Sequence, residues 1–72
     1  MKVKTDGGNL NVRSGPGMSY SVIGQFANGT IVTFGFIDPI PSKDWTHVKG
    51  IGTKGETLTG YCNNAYLVDD DD

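Results

Sequence analysis

Residues 10–24 read LNVRSGPGMSYSVIG and introduce a pattern that the rest of the chain repeats: a short alternating strand followed by a tight turn. Leu10 and Val12 alternate with polar residues, which predicts a half-buried β-strand with both apolar side chains on one face. Gly15-Pro16-Gly17 then reverses the chain, because proline fixes φ and glycine leaves it unrestricted. We expect this turn to open a long loop that carries Tyr20.

Further segments rich in β-branched and aromatic residues predict more strands. They are GTIVTFGFI at 29–37, DWTHVKG at 44–50 and ETLTGYC at 56–62. Asn28-Gly29 favours a hairpin turn because both residues tolerate positive φ, and the prolines of IDPIPSKD (37–44) interrupt the ladder. No window keeps apolar residues at helical spacing without a glycine or proline. We expect only a 3₁₀ turn in NNAYL (63–67), leading into an edge strand at Leu67-Val68.

The chain has 72 residues, enough for one small domain with a large surface for its volume. Short strands at this size bury enough apolar surface only by curling on themselves. The predicted fold class is therefore all-β, a small barrel of about five to six short antiparallel strands with a 3₁₀ turn near the C-terminus. The expected core consists of Leu10, Val12, Ile23, Phe26, Val32, Phe34, Val48, Cys62 and Leu67.

The charges and the single cysteine exclude several classes of protein. Six basic and eight acidic residues give a net charge of −2, and the basic residues are scattered. A nucleic-acid-binding protein usually carries a basic stripe, so we expect no nucleic-acid partner. No apolar run approaches the ~18 residues of a membrane span, so we expect no membrane insertion. The lone Cys62 excludes an internal disulfide.

Cys62 and His47 are the residues most suggestive of catalysis, because a thiol and an imidazole on neighbouring strands can act as nucleophile and base. Alternation along DWTHVKG, however, sends His47 outward with Trp45 and Lys49, away from Val48. We therefore expect a buried inert thiol and a solvated histidine. One histidine and one cysteine are also too few ligands for zinc. We expect no catalytic residues, no metal and no cofactor.

Five blocks of the sequence stand in the order and spacing of a known family. These blocks are NVRSGP (11–16), YSVIG (20–24), GTIVTF (29–34), WTHV (45–48) and GYCNNAYL (60–67), and together they resemble the bacterial SH3 domain, often called SH3b. The resemblance covers about residues 8–68 and implies an SH3-like barrel. It leaves residues 1–7 as a lead-in and 69–72 as an acidic tail or a remnant of cloning. One departure is Tyr61-Cys62, where the family usually has Trp-Val.

The family resemblance also implies a function. It indicates a non-catalytic module of a larger secreted or surface envelope protein, such as a cell-wall hydrolase, which binds stem or cross-bridge peptides of peptidoglycan. We accordingly expect a monomeric domain outside the cell, in the cell wall. The N-terminus lacks the long apolar segment of a signal peptide, so the signal would lie on another part of a longer protein. The alternative is an intramolecular or protein-protein interaction module that packs on a neighbouring catalytic domain.

The resemblance points to a ligand groove lined by exposed aromatic side chains, with the loop after Gly15-Pro16-Gly17 as one wall. Flat rings offer a large contact area and a polar tip for hydrogen bonding. In a second reading, Trp45 and Tyr66 mainly plug the ends of the barrel. The expected ligand-binding residues are Ser14, Tyr20, Trp45, Tyr61, Asn63 and Tyr66.

Overall fold

The computed structural model describes residues 1–34 and 42–71. Within them, the all-β prediction with a late 3₁₀ turn is confirmed. Nothing helical in these residues has the length and hydrophobicity that a membrane crossing requires. The strands are β1 (Lys2–Val3), β2 (Leu10–Arg13), β3 (Val22–Phe26), β4 (Thr33–Phe34), β5 (Trp45–Ile51), β6 (Thr57–Asn63) and β7 (Leu67–Val68), with the 3₁₀ turn at Asn64–Tyr66 between β6 and β7.

The strands form two antiparallel sheets. The larger sheet has the order β3-β2-β6-β5-β4, and the smaller one pairs β1 with β7. An isolated bridge between Lys2 and Ile31 lies between them, and side chains from both sheets meet in one core. Because β1 and β7 have two residues each, the ladder does not close into the expected barrel within residues 1–34 and 42–71.

The turns agree with the prediction only in part. The Asn28-Gly29 turn joins β3 to β4, which lie at opposite edges of the larger sheet, so it does not close the expected hairpin. β5 and β6 pair along their whole length, from Trp45 opposite Asn63 to Ile51 opposite Thr57. Positive φ occurs at Gly55 in this hairpin loop (+79°) and at Gly29 in the Asn28-Gly29 turn (+89°), where glycine avoids a Cβ clash. The predicted strand at 29–37 is described only as far as residue 34, and the proline-containing segment 35–41 lies outside the described residues.

The core largely agrees with the prediction. Among the expected residues, the buried ones are Leu10, Val12, Phe26, Val32, Val48 and Cys62. Val3 and Leu58 are buried in addition, because β1 and β6 both contribute to the core. Leu67 is only half-buried and packs against the edge of this cluster.

Ile23 and Phe34 correct the predicted core, since 44% and 72% of their surfaces are exposed. The register of β2 and β3 shifts between Val12 and Arg13, which makes Ile23 the extra residue of a β-bulge. Phe34 lies on β4, the edge strand of the larger sheet. The alternation of apolar and polar residues predicts which face of the sheet a side chain lies on. At a bulge or at an edge strand, however, other side chains do not fully cover that face.

Large core side chains lie directly against glycine. A Cβ added at Gly24 would come 2.6 Å from Leu58 Cδ1, and one added at Gly60 would come 2.7 Å from the carbonyl oxygen of Arg13. These glycines face inward, because Gly24 pairs with Val12 and Gly60 pairs with Val48. The interior therefore combines bulky and minimal residues to reach close packing.

The first residues of the chain join this packed structure. Val3 is fully buried, and its backbone N–H donates to Thr30 O at 2.9 Å. The Met1 amine donates to Val32 O at 3.0 Å and forms an ion pair of 2.6 Å with the Asp70 carboxylate. Segment 1–7, expected as a lead-in, thus contains a strand and a core residue.

Candidate functional site

A groove of about 330 Å³ runs along the outer side of β2. Its walls come from the turn before β2, from the loop after β2, from the ends of β5 and β6, and from the 3₁₀ turn. It combines amide, aromatic and thioether side chains with one carboxylate and one guanidinium. The lining residues are Thr5, Asp6, Asn9, Leu10, Asn11, Arg13, Met18, Trp45, Asn63 and Tyr66.

Three of the predicted ligand-binding residues meet in this groove: Trp45, Asn63 and Tyr66. Trp45 and Asn63 are directly opposite each other on β5 and β6, which places their side chains on the same face of the sheet. Tyr66 follows on the 3₁₀ turn, and 45% of its surface is exposed. The groove therefore brings the rings of Trp45 and Tyr66 together with the amide of Asn63.

Asn63 has a double role at the end of β6. Its Oδ1 accepts a hydrogen bond of 2.9 Å from the Ala65 backbone N–H and so caps the 3₁₀ turn that positions Tyr66. Its side-chain nitrogen makes no hydrogen bond to the part of the chain that the structure describes, and it remains available as a donor. The next residue, Asn64, is structural: its Nδ2 donates to Lys43 O at 2.7 Å.

Tyr61 is not available as a surface ring, because only 2% of it is exposed. It lies in the middle of the sheet, paired with Arg13 on one side and His47 on the other. Its ring centroid is 4.8 Å from that of His47. The expectation that Tyr61 is an exposed aromatic is therefore wrong.

Ser14 and Tyr20 also lie outside the groove lining. Ser14 closes the loop that follows β2, since its backbone N–H donates to Ser21 O at 2.9 Å. The Tyr20 ring covers Gly15 so closely that a Cβ there would overlap the ring. Tyr20 is 39% exposed, but it packs on its own turn.

Arg13 holds this loop, residues 14–21, against the groove. Its Nη1 donates to the carbonyl oxygens of Met18 at 3.2 Å and Tyr20 at 2.9 Å. Met18 then contributes to the groove lining, with 73% of its surface exposed. The loop thus forms one wall, as the family resemblance implied, but through Met18 rather than Tyr20.

Sequence reasoning missed the floor of the groove. Asn9, Asn11 and Arg13 occupy alternate positions and lie on the side of β2 opposite Leu10 and Val12. The alternation that placed the apolar residues in the core also places these polar residues outside. The signal was therefore present in the sequence, but the search for exposed aromatics passed over it.

Cys62 and His47 do not form a catalytic pair. Cys62 is paired with Thr46 and faces the core, whereas His47 is paired with Tyr61 on the opposite face. Burial raises the pKa of the Cys62 thiol to about 12, and its Sγ lies 3.7 Å from Asn11 O. The thiol is inert, as expected.

His47 differs from the solvated histidine that alternation suggested. It is half-buried, and its Nδ1 has no hydrogen-bond partner among the described residues. Within residues 1–34 and 42–71, no group of three or more His, Cys, Asp or Glu side chains is arranged to hold a metal ion.

Comparison with known protein families gives a match that covers most of the chain. Residues 8–68 match the family model described as Bacterial SH3 domain, so the resemblance seen in the sequence is confirmed. No curated protein and no solved structure matches the chain.

Proposed function

Because the chain belongs to the bacterial SH3 domain family, we propose that it anchors a larger secreted or surface envelope protein, such as a cell-wall hydrolase, to the peptides of peptidoglycan. Bacterial SH3 domains are commonly cell-wall-binding modules and are generally non-catalytic. The ligand in this proposal is a stem or cross-bridge peptide. It binds outside the cell, in the groove along β2.

One observation carries the proposal: the Trp45 and Tyr66 rings line the same groove as a row of amide side chains. Aromatic rings give contact area at small entropic cost, and amides donate and accept hydrogen bonds to a peptide backbone. Asp6 and Arg13 contribute opposite charges, so the groove attracts neither strongly anionic nor strongly cationic polymers. Trp45, Asn63 and Tyr66 are the ligand contacts we propose.

A shallow groove of this kind binds a short peptide weakly. Peptidoglycan presents its peptides at high density, which raises the effective concentration around a bound domain. The role therefore requires only modest affinity at each site. Residues 8–68 are the targeting unit in this proposal, with the strand at Lys2–Val3 bracing it.

Co-sedimentation with insoluble peptidoglycan tests the proposal. The wild-type domain should sediment with the wall, and Tyr66→Ala should reduce the bound fraction about fivefold to tenfold, because truncating an interface aromatic typically costs more than ~1 kcal/mol. Phe34→Ala is the control. It removes an aromatic side chain that is more exposed, 72% against 45%, and that lies outside both the groove lining and the loop that forms its wall.

Two results would contradict the proposed site or function. Equal binding by Tyr66→Ala and Phe34→Ala would show that the groove is not the contact surface. Failure of the wild-type domain to sediment with peptidoglycan at any salt concentration would contradict the proposed wall-binding function.

The exposed edge strand supports one second candidate, a module that packs on a neighbouring catalytic domain. Phe34 is 72% exposed on β4 at the edge of the larger sheet, and sheet edges readily pair with another protein. Titrating isotope-labelled domain with the other domains of its parent protein separates the two candidates. Shifts at Phe34 favour domain packing, and shifts at Trp45 on adding muropeptides favour wall binding.

A further inference from the structure

The floor of the groove is held by a relay of three amide side chains that crosses β2 and β3. Asn9 Nδ2 donates to Gln25 Oε1 at 3.2 Å, and Gln25 Nε2 donates to Asn11 Oδ1 at 2.9 Å. Asn11 and Gln25 are directly opposite each other in the sheet. Gln25 does not line the groove, whereas both asparagines do.

This relay determines which groups the asparagines leave for a ligand. Asn9 uses its nitrogen towards Gln25, so its Oδ1 is left as an acceptor. Asn11 uses its oxygen towards Gln25, so its Nδ2 is left as a donor. A glutamine amide has one donor side and one acceptor side, and turning all three amides over would exchange the two roles. In either orientation, the two asparagines present opposite hydrogen-bonding groups.

The arrangement of these groups complements a peptide main chain. Asn9 and Asn11 are two residues apart beside an extended strand, so their side chains project on the same side of it. In an extended peptide, the N–H and the C=O of one residue point to the same side, and those of the next residue point to the other side. A ligand residue that faces β2 therefore offers one donor and one acceptor to the acceptor and the donor that the two asparagines leave.

We propose that the Asn9–Gln25–Asn11 relay makes this groove specific for the main-chain amides of an extended peptide, with Gln25 as the positioning residue. The inference rests on the proposed function of the groove as a peptide site. It deepens that function by assigning recognition to the ligand backbone. Peptides with small side chains fit best, because they bring their main chain closest to β2.

Gln25→Glu tests the relay with almost no change of shape. A carboxylate only accepts hydrogen bonds, so both asparagines must turn their nitrogens towards it and both then present oxygen to the groove. The donor that faced the ligand carbonyl is lost. Lys54→Gln is the control, because it makes the same change in net charge in the β5–β6 loop, outside the groove lining.

The probe is acetyl-trialanine amide, together with an analogue in which an ester oxygen replaces the central N–H. The indole N–H of Trp45, the only tryptophan, reports binding in NMR titrations. Gln25→Glu should weaken tripeptide binding about tenfold, the usual effect of one unsatisfied hydrogen bond, and Lys54→Gln should not. Wild type should bind the ester analogue several-fold more weakly than the amide. If Gln25→Glu fails to fold, Gln25→Met, which removes both hydrogen bonds without adding charge, should still weaken binding.

The outcomes separate this inference from the proposed function. Equal binding of the tripeptide by Gln25→Glu and Lys54→Gln, or equal binding of amide and ester by wild type, overturns the relay. Co-sedimentation of wild type with peptidoglycan alongside no binding of the tripeptide also overturns it, and leaves the proposed function intact. Tripeptide binding that depends on Gln25, without any co-sedimentation, supports the relay and overturns the proposed function.

Discussion

The inner face of the larger sheet is closely packed, whereas the outer face of the same strands borders an open groove. On the inner face, a Cβ added at Gly24 would come 2.6 Å from Leu58, so there is no space for one more carbon. On the outer face, Asn11 and Arg13 border a groove of about 330 Å³. Successive residues of β2 thus face the packed core and the groove in turn.

This difference teaches where substitutions will act. On the inner face, added or removed atoms change packing and therefore the free energy of unfolding. On the outer face, we expect substitutions to cost little stability and, in the proposed function, to change which hydrogen-bonding groups meet the ligand. Three substitutions examine this contrast.

Gly60→Ala should have the largest effect. The new Cβ would lie 2.7 Å from the backbone oxygen of Arg13 and 2.8 Å from Val12 Cγ1, and a backbone atom cannot rotate away. We expect a loss of about 3 kcal/mol in the free energy of unfolding, measured by urea denaturation. Gly8→Ala is the control, because its nearest neighbour, an Asp6 carboxylate oxygen, would be 3.9 Å away. Equal stability of the two variants would contradict the close packing of the inner face.

Cys62, on the inner face, should make the free energy of unfolding depend on pH, with an effect of intermediate size. The unfolded thiol ionises near its ordinary pKa of 9.0, whereas burial raises the folded pKa to about 12. Above pH 9 the unfolded state therefore loses a proton that the folded state keeps, and the free energy of unfolding falls as pH rises. Below that pKa the group has no effect.

Cys62→Val isolates this contribution from the tyrosines and lysines that titrate in the same range. Relative to the valine variant, the wild type should lose about 1.4 kcal/mol between pH 7 and pH 10, measured by denaturant unfolding at each pH. Parallel stability profiles for the two proteins would show that the thiol ionises as readily in the folded state as in the unfolded one.

Gly15→Ala should have the smallest effect, because it tests the loop that walls the groove. Its Cβ would overlap the Tyr20 ring, but that ring is 39% exposed and can turn into solvent. We expect a loss of about 1 kcal/mol and a changed NMR environment at Tyr20. Gly17→Ala places its Cβ at 3.5 Å from the same ring, an ordinary contact, and should leave the loop unchanged. Indistinguishable spectra for the two variants would contradict this packing.

The strands were predictable because alternation with period two is a local property. Leu10, Val12 and Val48 reach the core as their spacing implies, and β5 pairs with β6 across a glycine-containing loop. Ile23 was not predictable, since the bulge that displaces it depends on how β3 pairs with β2. The pairing of β1 with β7 joins residues distant in the sequence, which no local pattern records.

The site was predictable in part for the same reason. Trp45 and Asn63 meet because two well-marked strands pair in register. Tyr61 shares their face, but alternation does not tell how much of a side chain on that face is covered, and only 2% of Tyr61 is exposed. The amide relay of the floor depends on Gln25 lying opposite Asn11, which becomes visible only once the register of β2 and β3 is known.

The short pairing of Lys2–Val3 with Leu67–Val68 sets the mechanical behaviour of the domain. Pulling on residues 2 and 68 in opposite directions loads this antiparallel pair at one end, so its bonds break one after another rather than together. Thr5, Asp6 and Tyr66 lie immediately beyond the pair and form one side of the groove. In the proposed function, tension on the parent protein would therefore peel open the groove before it disturbs the larger sheet, and would weaken the contact with the wall peptide.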